Sequence, residues 1–101
     1  MYPIKLNRDD VLIEEVLIEQ ILSALPASFK YRASIVGLKR GRLIAENGHC
    51  AIHLKTIQND LWLFVAPKSL SGLSRHHSAM IYQKLKLALS DLVLERTALS
   101  A

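Results

Sequence analysis

The alternation that follows Asn47-Gly48 constrains this chain more than any other feature. Cys50, Ile52 and Leu54 interleave with His49, Ala51, His53 and Lys55, and a period of two is what a strand with one dry and one wet face requires. Asn47-Gly48 is a turn signal ahead of it, and Gln58-Asn59-Asp60 makes the next turn. Leu61 to Ala66 then runs almost continuously apolar and stops at Pro67. Such a run predicts a strand central in its sheet, with Trp62 in the core as large aromatics usually are; the other reading has Trp62, with Tyr31 and Tyr82, stacking on exposed bases. Small sheets of this kind bury their dry face under helices.

Helical patterns flank the strands. Asn7, Asp9 and Asp10 offer N-cap oxygens, and Glu14 and Glu15 suit the positive end of a helix dipole. Apolar residues at 11–13, 16–18, 21, 22 and 25 cover more than one stripe. They predict a helix buried on two sides, by a sheet and by a partner, and ended by Pro26. Ser71 or Ser74 caps a long second helix carrying Ala79, Met80, Ile81, Leu85, Ala88, Leu89, Leu92 and Val93 at helical spacing. Residues 94–101 read as a short closing strand or a frayed helix end. Between Phe29 and Glu46 two readings stand: a hairpin turning at Lys39–Gly41, which local chemistry favours, or a glycine-interrupted helix through Ala33, Ile35, Val36 and Leu43. The 101 residues form one domain, 1–101, of α+β class: an N-terminal helix, an antiparallel sheet and a long C-terminal helix.

Composition excludes several function classes. Half the residues are hydrophobic and 22% are charged, which is globular and not disordered. A single cysteine excludes an internal disulfide or a four-cysteine zinc site and makes a reducing cytoplasm the expected setting. No apolar stretch reaches the length of a membrane span. His49 and His53 stand four apart beside Cys50, but on a strand Cys50 points away from them, and no carboxylate completes a ligand set, so neither a metal site nor a thiol nucleophile is expected. Glycines at 37 and 41 flank cations without the spacing of a nucleotide-binding loop. No catalytic role and no cofactor are expected.

Charge is the positive signal. Residues 1–19 carry two basic and five acidic side chains, whereas residues 20–88 carry ten basic and two acidic ones. A basic middle beside an acidic start predicts a polyanion-facing surface and a separate acidic face. Lys39, Arg40 and Arg42 cluster on one turn. Lys68, Arg75, Lys84 and Lys86 follow the entry and outer face of the long helix, where His76 can meet phosphates when protonated.

The run Ile35-Val36-Gly37, the strand Leu61–Val65 and the segment Arg75-His76-His77-Ser78-Ala79-Met80-Ile81-Tyr82-Gln83-Lys84-Leu85 resemble the DciA family of small bacterial proteins. Its helix motif is matched by His76, Ile81, Lys84 and Leu85. The resemblance implies a KH-like domain that binds DNA and contacts the replicative helicase at replication initiation, without catalysis. It also implies a helix for the Ile35-Val36-Gly37 segment, against the hairpin. The expectation is a non-enzymatic, cytoplasmic nucleic-acid-binding module using Lys39, Arg40, Arg42, Lys68, Arg75, His76, Lys84 and Lys86, with the first helix holding a protein partner. The rival is a protein-interaction or homodimerisation module whose basic surface is incidental.

Overall fold

A computed structural model of the chain describes residues 2–7, 14–37 and 41–92, the stretch 33–37 by its backbone alone. The element order is β1 (Tyr2–Leu6), α1 (Glu14–Ala24), β2 (Lys30–Gly37), β3 (Gly41–Glu46), β4 (Cys50–Ile57), β5 (Asp60–Pro67) and α2 (Gly72–Ala88). The five strands form one sheet in the order β1-β5-β4-β3-β2, antiparallel throughout. This is an α+β fold. It differs from the sequence reading at its start, where Tyr2–Leu6 adds an edge strand ahead of the first helix. Five residues hold too few repeats for a period to show, although Ile4 and Leu6 do alternate into the core.

The central strand is β4, and β5 lies one place nearer the edge. Cys50, Ile52 and Leu54 are buried, as the alternation requires, and meet Leu63 and Val65 of β5 in register. Gln58 and Asn59 close the β4–β5 hairpin with φ of 51° and 71°. Two consecutive left-handed residues give a two-residue turn whose twist matches that of the strands. Residues 30–37 and 41–46 pair as a hairpin, so Ile35-Val36-Gly37 lies on β2 and not on a helix. Gly41, with φ +81°, packs so closely that an added Cβ would lie 2.6 Å from the Leu54 carbonyl oxygen. A register shift in β3 lets Ile44 and Ala45 both face inward.

Both helices lie on the dry face. Leu17, Ile18 and Ile21 of α1 and Ile81 and Leu85 of α2 join Ile4, Leu6, Ile44, Ile52, Leu54, Leu63 and Val65 in one core. The described part of α1 buries one face and leaves Val16 about half exposed; the expected partner-facing side includes residues 11–13, outside the described residues. Ser71 caps α2, its Oγ accepting the Ser74 N–H at 3.1 Å. The Asn7 N–H donates to the Leu92 carbonyl at 2.7 Å, fastening the end of β1 to the chain after α2. The expected closing strand or frayed helix end in 94–101 lies outside the described residues, as does the Lys39-Arg40 turn. Among the described residues, no helix is long and apolar enough to cross a membrane.

Candidate nucleic-acid interface

The alternation that delivers Leu63 and Val65 to the core sends Trp62, Phe64 and Ala66 to the other side of β5. In register beside them are Lys5 and Pro3 of β1 and Lys55, His53 and Ala51 of β4. The rows continue to Leu43 and Glu46 of β3, and Lys30 of β2 lies opposite Glu46. Trp62 is therefore not a core residue. It is half-buried on the face opposite the helices, and its apolar neighbours in sequence alternate away from it.

This helix-free face has an aromatic middle and a charged margin. The Trp62 and Phe64 rings lie nearly parallel, 14° apart with centroids separated by 6.1 Å. The Lys5 ammonium sits 5.8 Å from the Trp62 ring centroid, within cation–π range, and 3.4 Å from Asp60. Lys55 stands directly across from Trp62. At the other end, Glu46 accepts from Arg32 Nε at 3.1 Å and from Lys68 Nζ. Those two donors, led by Lys68, hold the Glu46 carboxyl below its ordinary range against a smaller opposing effect of burial.

The eight residues singled out from sequence are dispersed. Arg42, opposite Leu54, faces the helix side and donates to Glu14 Oε1 at 2.6 Å, so an N-terminal carboxylate neutralises it. Lys68 is clasped by Glu46. Arg75, His76 and Lys84 are exposed on α2, across the molecule from the aromatic pair. Lys86 is half-buried, with Nζ 3.4 Å from the Tyr82 hydroxyl and 5.4 Å from its ring centroid. Lys39 and Arg40 lie outside the described residues. Lys68 is the one described member next to the helix-free face. Lys5, Lys30, Arg32 and Lys55, which share that face, were not singled out from sequence.

The other polar cluster sits where the β3–β4 turn meets α2. Asn47 Oδ1 accepts from the His49 and Cys50 N–H groups at 2.9 and 3.0 Å. Its Nδ2 lies 2.9 Å from His77 Nε2 and 3.3 Å from Ser28 Oγ. The His77 ring stacks on Phe29 and leans on His49, with centroids at 6.0 and 5.3 Å. Burial foremost, then the neighbouring His49 and His76, pushes the His77 pKa below the ordinary imidazole value. Burial also pushes the Cys50 thiol up, against the weaker opposing pull of Ser78 and Lys68. A buried, protonated thiol is a poor nucleophile. Among the described residues, no three His, Cys, Asp or Glu side chains converge as metal ligands.

Comparisons with protein-family models, with curated proteins and with solved structures return no match for this chain.

Proposed function

We propose that this chain is a non-enzymatic module that binds nucleic acid through the helix-free face of its sheet. The distribution of charge between the two layers carries the reading. Lys5, Lys30, Arg32, Lys55 and Lys68 gather on or beside that face against Glu46 and Asp60. On the helix side, Arg42, Arg75, Lys84 and Lys86 are matched by Glu14, Glu15, Glu19 and Asp91. The surplus positive charge of the described residues thus belongs to the sheet face, where phosphates would release counterions on docking. The two carboxylates do not cancel this surplus, because each exposed ion pair contributes little and can exchange its cation onto a phosphate.

Fluorescence anisotropy with a labelled oligonucleotide over a salt series tests the proposal. Three to five phosphate contacts give a slope of log K against log salt of about −2 to −4. Failure to bind at about 50 mM salt overturns it. The replicative helicase, the partner implied by the resemblance, would meet the opposite layer at α1, where Glu14, Glu15, Glu19 and Val16 are exposed. A pull-down that retains helicase after nuclease treatment supports that contact, and one that loses it with the nucleic acid removes it.

A further inference from the structure

Resting on the nucleic-acid reading, we infer that the face is a stacking platform for unpaired bases, with Trp62 and Phe64 as its two seats, so that the ligand is a single strand and not a duplex. Three observations combine. The two rings stand two residues apart on one strand with nearly parallel planes and centroids 6.1 Å apart, on the side of the sheet from which, among the described residues, helices are absent. Phe64 lies between Pro3 and His53 on the adjacent strands, and Ala51 lies across from Ala66. Cations border the rings: Lys5, whose Nζ lies over the Trp62 ring 5.8 Å from its centroid, and Lys55 adjoin Trp62 from the two adjacent strands, and Lys30, Arg32 and Lys68 lie at the far end.

That arrangement discriminates between nucleic-acid forms. In a duplex the base faces are stacked on one another inside the helix, so aromatic side chains on a sheet surface have nothing to stack on without first unstacking a base pair. An unpaired strand offers its π-faces freely, and every base has one, so the platform tolerates any sequence. Cations on either side of the ring pair can take the phosphates of the same strand, in the combination of stacking and backbone charge that single-strand binders use. A second copy of this sheet laid on this face would set its own surplus of cations, Lys5, Lys30, Arg32, Lys55 and Lys68 against Glu46 and Asp60, against the same surplus. Polyanion chemistry therefore fits better than a second copy of this chain.

The chain has one tryptophan, so its fluorescence reports on the proposed seat without any substitution. The 101-residue chain is titrated with oligo-dT, oligo-rU and a mixed-sequence duplex of equal length, reading both Trp62 emission and anisotropy of a labelled strand. The expected result is quenching of Trp62 by either single strand, with the duplex at least tenfold weaker at the same salt. Trp62→Phe retains most of the affinity. Trp62→Ala and Phe64→Ala each lose about 5- to 100-fold, the range for removing one stacked base. Lys84→Ala, on the helix side, changes affinity less than twofold. Circular dichroism of each variant identifies any that fails to fold, and the wild-type quenching stands independently of them. Tight binding without Trp62 quenching, or equal affinity for duplex, overturns the platform while leaving the nucleic-acid reading intact. A concentration-dependent blue shift of Trp62 without nucleic acid, tracking dimer formation in sedimentation, also overturns it. Absence of binding to all three probes overturns both.

Discussion

Replacing Asn47 by alanine tests whether a single side chain ties the β3–β4 turn to α2. Its Oδ1 accepts two backbone N–H groups, and its Nδ2 donates to His77 Nε2 and lies near Ser28 Oγ. A net hydrogen bond contributes about 0.5–1.5 kcal/mol, and the N–H of buried Cys50 loses its partner. Loss of the two turn bonds and the His77 bond should therefore cost about 2–3 kcal/mol, lowering Tm by about 8–20 °C for a domain of this size. Asn47→Asp separates the two halves of that figure. It keeps the acceptor for both N–H groups but presents an oxygen to His77. The bond then needs a hydrogen on Nε2, which the imidazolium always supplies and the neutral ring supplies only by giving up the tautomer that accepts from Asn47 in the wild type. The carboxylate raises the folded pKa of His77. The regained stability is then present below the unfolded value of about 6.5 and lost as pH rises through the folded pKa. Thermal melts of both variants at about pH 5.5 and pH 8 decide the matter. The aspartate variant should lie close to wild type at the lower pH and between wild type and alanine at the higher. An alanine variant within about 0.5 kcal/mol of wild type, or an aspartate variant that melts with it at every pH, refutes the reasoning.

In the wild type the sign of the pH effect is opposite. Because the folded pKa of His77 is depressed below 6.5, the stability tied to its neutral form is complete above that value and declines as pH falls toward the folded pKa; urea midpoints should fall over this window, and less so in His77→Gln. Cys50 is fully buried and its thiol is raised, so it should react with an aromatic disulfide reagent only at the rate of unfolding, and a fast stoichiometric reaction under native conditions would contradict its position. Ile52 is fully buried on the central strand, and Ile52→Ala should cost about 2–5 kcal/mol by denaturant titration with little change in m.

Much of the sheet was legible because short-range chemistry decided it. The alternation 49–55, the Asn47-Gly48 and Gln58-Asn59 turns and the Pro67 stop all reappear, and Ser71 serves as the cap. The misplacement of Trp62 has a definite cause. An apolar run on β5 hides which alternate residues face the helices, whereas β4 shows it plainly. A two-residue turn at Gln58-Asn59 makes Ile57 and Asp60 partners, and counting back from that pair sets Trp62 against Lys55 and Phe64 against His53. Both partners belong to the wet parity of β4, so the signal for an exposed aromatic pair was present in the turn length. The dispersion of the cations was not legible. Arg42 and Glu14 are 28 positions apart, and only the tertiary fold makes them neighbours. Lys5 could not be placed on the sheet while β1 was unseen.

The two faces of the sheet use the same alternation to opposite ends. On the inner face, β4 and β5 set aliphatic against aliphatic, Ile52 with Val65 and Leu54 with Leu63, and the helices close over them. On the outer face the same register sets Lys55 against Trp62 and His53 against Phe64. Cross-strand packing of such rings contributes only about 0.2–1 kcal/mol per pair, while adjoining large aromatics left partly open to water invite association. Their position beside Lys5 and Lys55 suits a planar, anionic ligand that covers them. The affinity of that ligand should then depend on both ring and charge, so removing Lys55 should weaken binding in a salt-dependent way and removing Trp62 in a salt-independent way.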